Sequence, residues 1–164
     1  MTRVRSPDGV VSTGTYWDRR TWDLARSAYI ADLDTDEDAP DAFIGRLQRA
    51  LIDYAGLVPL RRAELAASIV LDPVAGGGFS KAFPLQVEVV QALEQAIIDD
   101  RRELGRVISR AGFVREAVTH AAQRARQRLG RDLPPSPARL PTRPPRRFPA
   151  QDGLQVLDGR IERV

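Results

Sequence analysis

The sequence predicts a mainly α-helical chain: an N-terminal helical unit and a C-terminal unit of a short strand and two helices, joined by a glycine linker and followed by a proline- and arginine-rich tail. Three observations predict it. Apolar residues recur at helical spacing through most of residues 22–125, three consecutive glycines at 76–78 interrupt them, and prolines dominate from residue 134. With 164 residues, 43% of them hydrophobic, the chain has room for one or two small domains with modest cores.

Residues 1–14 are polar and glycine-containing and are expected to be loose. From Thr15, "YWDRRTWDLARSAYIADL" sets Trp22, Ala25, Tyr29, Ile30 and Leu33 at helical spacing. The acidic run at 32–41 interrupts this helix, and Pro40 and Asp41 suit the opening of the next, with Phe43, Leu47, Ala50, Leu51 and Tyr54 on one face. Gly56 and Pro59 end it, and a third helix is expected up to Asp72-Pro73. Residues 15–72 thus read as a helical partner-interaction unit and 73–78 as a linker, because glycines hold regular structure poorly.

A second unit spans 79–130. "FSKAFPLQ" is short and extended, and Pro84, unable to donate to a ladder, should end the strand near Phe83. In the following helix Val89, Val90, Leu93, Ala96 and Ile97 form an apolar face, and Gly105 closes it. Ser109 can cap the next helix, which packs through Phe113, Val114, Ala117, Val118, Ala121 and Ala125 and turns Arg115, Arg124, Arg126 and Arg128 outward. Residues 131–164 form the tail, extended through its prolines, with a hairpin signal at Asp158-Gly159.

Charge is unevenly distributed. Residues 1–72 carry 9 arginines against 12 acids, whereas 105–149 carry 11 arginines against Glu116 and Asp132. A basic C-terminal half points to nucleic acid or another polyanion. There is no cysteine, so disulfides and thiolate metal sites are excluded, and no apolar run is long enough to cross a bilayer; a cytoplasmic protein is expected.

The candidate chemical motifs are each incomplete. Asp32, Asp34 and Asp36 mimic the start of a calcium loop, but Glu37 stands where glycine is needed and Phe43 where a bidentate glutamate is needed, so a solvated loop is expected. Gly76–Gly78 before Ser80-Lys81 lack the glycine directly ahead of lysine that a phosphate cradle requires. His120, the one histidine, has no partner at motif spacing, and Asp99-Asp100 beside Arg101-Arg102 reads as a solvated charge cluster. The sequence therefore predicts a non-enzyme without metal or cofactor. Trp22 and Tyr29 suit a core; Tyr16 and Trp17 suit either a core or a contact surface.

Residues 79–122 carry a family resemblance. A short extended piece, an amphipathic helix, a turn and "SRAGFVREAV" opening a second helix resemble the ribbon-helix-helix DNA-binding fold. Ser109, Arg110, Phe113, Val114, Arg115, Glu116 and Ala117 match the second-helix signature, and Leu85, Val89, Val90 and Leu93 the first-helix spacing. The resemblance implies a homodimer on double-stranded DNA: paired strands enter the major groove, with Ser80, Lys81 and Ala82 as the strand contacts and Lys81 facing a guanine edge. Ser109, Arg110 and Arg115 would meet phosphate, and Phe83, Val89, Leu93, Phe113, Val114, Ala117 and Val118 would build the dimer core.

The implied function is sequence-specific DNA binding at a centromere or operator, in partition or autoregulation. Taken whole, the layout resembles small centromere-binding partners of ParA-type ATPases, and a nucleoid- or plasmid-associated location follows. An antitoxin with a toxin partner, or a transcriptional repressor, would use the same module. A protein-interaction adaptor, or an ordinary helical protein with an exposed basic helix, is the reading from a different class.

Overall fold

Period-two alternation begins at Val10: Val11, Thr13 and Trp17 are buried while Ser12, Gly14 and Tyr16 face solvent, which makes the segment a strand, β1 (Val10–Trp17). The structure, a computed structural model, describes residues 9–69 and 77–140. For residues 10–14 the strand corrects the expectation of a loose segment, and it corrects the expectation that a helix starts behind Thr15; residues 1–8 lie outside the described residues. Valine and threonine are stiff at χ1 and favour pleated backbone. The helix starts only after Asp18, whose carboxylate accepts from Thr21 N at 2.9 Å and from Thr21 Oγ1 at 2.8 Å.

Asp18 opens α1 (Arg19–Thr35), which is followed by α2 (Phe43–Ala55) and α3 (Pro59–Ala67). Proline at the first turn of α3 gives up an N–H that would be orphaned there in any case. This helix stops at Ala67, short of the expected Asp72-Pro73. Next come β2 (Phe79–Gln86), α4 (Val87–Leu104) and α5 (Arg110–Leu129). Gly105, with φ 65°, ends α4 in the left-handed conformation that glycine adopts without penalty. Ser109 caps α5 by accepting from Gly112 N at 3.0 Å, as its position in the sequence predicts. The expected hairpin around Asp158-Gly159 and the prolines of 141–149 lie outside the described residues.

β1 and β2 pair antiparallel, Val10 opposite Gln86 and Trp17 opposite Phe79, into a two-stranded sheet. β2 runs through Pro84 to Gln86 instead of ending near Phe83. In a two-stranded ribbon every strand is an edge, so a proline whose missing N–H faces outward costs no ladder bond.

The order strand–helix–helix thus occurs twice, as β1–α1–α2 and β2–α4–α5. The two halves interlock: α1 packs along α5, α4 along α2, and α2 against α5. In α2 the buried residues are Arg46, Leu47, Ala50, Leu51 and Tyr54; in α5 Phe113, Val114, Ala117, Val118 and Ala121 repeat that spacing from the helix start. α3 is an addition peculiar to the first half.

The core lies between ribbon and helices. Trp17, Leu51, Tyr54, Phe83, Leu93 and Phe113 share one cluster, and Trp22 meets Trp17 and Phe79 edge-on, with ring centroids 5.2 Å apart in each case. Phe83, Val89, Leu93, Phe113, Val114, Ala117 and Val118, expected to meet across a dimer, are all buried within one chain. A second, small-residue cluster of Ala28, Ala31, Ala122 and Ala125 packs α1 on α5 and takes up Leu133.

Candidate functional site

The face of the ribbon turned away from the helices is the most distinctive surface the fold builds. Alternation places Ser12, Gly14 and Tyr16 of β1 and Ser80, Ala82, Pro84 and Gln86 of β2 on it. The register sets Gly14 opposite Ala82 at its middle, Tyr16 opposite Ser80 towards one end and Ser12 opposite Pro84 towards the other. The small central pair lets another molecule approach the backbone closely, with hydroxyls on either side.

Tyr16 is 52% exposed and lies over Gly78. A Cβ at Gly78 would stand 2.0 Å from the Tyr16 hydroxyl and 2.5 Å from the Trp17 carbonyl oxygen. The last glycine of the predicted linker is therefore fixed by packing beneath the tyrosine.

Of the residues expected to contact DNA from the strand, Ser80 and Ala82 share this outward face. Lys81 does not. It alternates with Phe79 and Phe83 towards the helices, and its ammonium sits 5.1 Å from the Trp22 ring centroid and 5.6 Å from that of Phe83. The sequence pattern leaves the inward face of an amphipathic strand ambiguous when a lysine occupies it, because its stem packs while its head reaches water.

The helix residues are engaged within the chain. Arg110 donates to Glu94 at 3.0 Å, and Arg115 donates to Asp18 at 3.1 Å, tying α5 to the start of α1. Burial works to raise the Asp18 pKa, but the Thr21 hydrogen bonds and the Arg115 charge outweigh it and hold the carboxyl below its usual range. Arg128, expected to point outward, donates to buried Asp32 at 2.6 Å.

Two aspartates expected in solvent are buried. Asp32, 1% exposed, accepts from Arg46 and Arg128. Asp100, 0% exposed, accepts from Arg62 at 2.7 Å and Arg106 at 2.5 Å. Arg106 also donates to Glu116 at 2.8 Å, which accepts from the Tyr54 hydroxyl at 2.9 Å. Burial, then the Glu116 charge, pushes the Tyr54 phenol well above its ordinary pKa. In these networks each buried carboxylate is paired with arginine, while the buried Nε of Arg106 has no hydrogen-bond partner among the described residues.

The two strand–helix corners differ in charge. β1 leads into Arg19 and Arg20, the first residues of α1; β2 leads into Val87 and Glu88, the first of α4. Arg19 is 64% exposed in its side chain and held only loosely by Asp23 at 3.8 Å. The Tyr16–Ser80 end of the ribbon is the basic end.

Among the described residues no group of three His, Asp or Glu side chains is placed to hold a metal ion, and no helix is long and apolar enough to cross a membrane. Comparison with protein-family models, with curated proteins and with solved structures finds no match to this chain.

Proposed function

We propose that the protein binds double-stranded DNA through the ribbon, and that one chain supplies both strand–helix–helix halves that ribbon-helix-helix proteins assemble from two. The observation that carries this reading is the pairing of Val10–Trp17 with Phe79–Gln86 inside an interlocked pair of such halves. A two-stranded antiparallel ribbon fits the major groove, and its outward side chains meet base edges. Ser12, Tyr16 and Ser80 take the contacts expected of Lys81. Ser109 and Arg110 stand at the positive end of α5, where an anionic phosphate oxygen is favoured. The basic segment 139–147, with Arg139, Arg143, Arg146 and Arg147, adds sequence-independent attraction.

The setting proposed is centromere or operator binding in DNA partition or autoregulation, with a ParA-type ATPase or a toxin as a second partner. Footprinting of the purified protein on DNA flanking its own gene, at physiological salt, tests it. Discrete protected repeats support specific binding, and smooth or absent protection by folded protein overturns it. A second reading, a protein-interaction adaptor, is favoured by one observation: the outward face carries no charged side chain between Ser12 and Tyr16 or between Ala82 and Gln86. An adaptor would show only weak, salt-labile affinity without sequence preference.

A further inference from the structure

The two halves match in element order and in the buried positions of α2 and the start of α5, but not at the surface of the ribbon. Counted from the helix starts that follow each strand, Ser12 corresponds to Ser80, Gly14 to Ala82, Tyr16 to Pro84, and Arg19-Arg20 to Val87-Glu88. The inner positions are therefore near-equivalent and the outer ones are opposites. One end of the ribbon offers two hydroxyls, from Tyr16 and Ser80, beside two arginines; the other offers Ser12 and Pro84 beside an exposed glutamate.

An oligomer of identical subunits presents the same groups twice and selects a palindrome. A ribbon made within one chain is free of that constraint. Here phosphate is attracted at the Arg19–Arg20 corner and repelled at Glu88. Tyr16 is held over Gly78, so its hydroxyl is offered in one orientation rather than ordered on binding.

Resting on the DNA-binding reading, we infer that the target is a non-palindromic duplex site taken by one chain, anchored at the Tyr16–Arg19–Arg20 end, with Tyr16 as a specificity-determining residue. The inner step under Gly14 and Ala82 is read alike from both sides, and the flanking base pairs are read differently.

The experiment is selection of bound duplexes from a random-sequence pool by the full chain, followed by titration of the enriched duplex with mass measurement of the complex. The expected result is a motif without dyad symmetry and one chain per duplex. Tyr16→Phe should then lower affinity about fivefold on that motif and relax preference on one flank only. Arg19→Ser with Arg20→Ser should reduce the slope of log affinity against log salt by about 2, and Glu88→Arg should increase it by about 1. A palindromic motif with two chains per duplex overturns the inference while leaving DNA binding intact. Absence of any enriched motif overturns both.

Discussion

Asp32 and Asp100 occupy the same place in the two halves of the molecule: each is the fourteenth residue of the helix that follows its strand, and each is buried between two arginines. In each pair one arginine comes from the aspartate's own half and one from the other. Arg46 and Arg128 hold Asp32; Arg106 and Arg62 hold Asp100. The halves are thus locked at both ends by matching charge clamps around a shared core.

Removing one carboxylate leaves a buried guanidinium without its counter-charge, which costs far more than the pair itself contributes. Asp100→Ala should lower unfolding free energy by about 3–5 kcal/mol, since Arg62 is 1% exposed and has no route to water. Asp32→Ala should cost less, because its arginines, Arg46 at 8% and Arg128 at 32% side-chain exposure, both lie nearer water than Arg62. Urea unfolding midpoints of the two variants check the order, and equal costs would contradict the clamp described for Asp100.

His120 gives a pH signature. Burial, then the charges of Arg124 and Arg61, lower its pKa from the usual 6.5 against the opposing pull of Asp53. The folded state therefore favours neutral imidazole, and its contribution is present above the unfolded pKa and lost as pH falls from about 6.5 through the folded value. As the chain has one histidine, its ring proton resonances should titrate below pH 6.5. His120→Gln should flatten the stability profile between pH 7 and 5.

Gly78→Ala places a methyl group against both the Tyr16 hydroxyl and the Trp17 carbonyl. The ribbon must open at that end to admit it. Hydrogen exchange should show faster exchange at Trp17 and Phe79 than at Val11 and Leu85, whereas uniform protection would contradict the packing described.

Lys81→Met keeps the stem over Trp22 and removes the charge. It should destabilise by about 0.5–1 kcal/mol through the lost cation–π contact and leave base preference unchanged. A change of preferred site would return Lys81 to the reading role.

What the sequence makes legible is local. Ser109 and Gly105 announce their helix ends because capping involves only neighbours along the chain, and Val89, Leu93, Phe113, Val114, Ala117 and Val118 repeat at helical spacing whatever covers them. β1 was hidden because "STGT" lacks large apolar residues and Tyr16-Trp17 adjoin a helical pattern. The duplication escapes a reading of residue identity, since Arg46 stands where Phe113 does and Tyr54 where Ala121 does; only burial repeats. Asp32 and Asp100 read as solvated because Arg128 lies 96 residues from the first and Arg62 lies 38 from the second. Ion pairs at that separation leave no spacing signal. Of the candidate interface, Ser80 and Ala82 were visible as strand residues, while Ser12, Gly14 and the orientation of Tyr16 depend on a pairing partner about 70 residues away.

Both strands of the ribbon belong to one chain. The protein has no cysteine, so Gly14→Cys with Ala82→Cys introduces one facing pair on the outward side of the ribbon, clear of the core. Oxidised in dilute solution and run without reductant, this variant is predicted to form an internal disulfide at monomer mass. Disulfide-linked chains of twice that mass, or free thiols in the folded protein, would contradict the account.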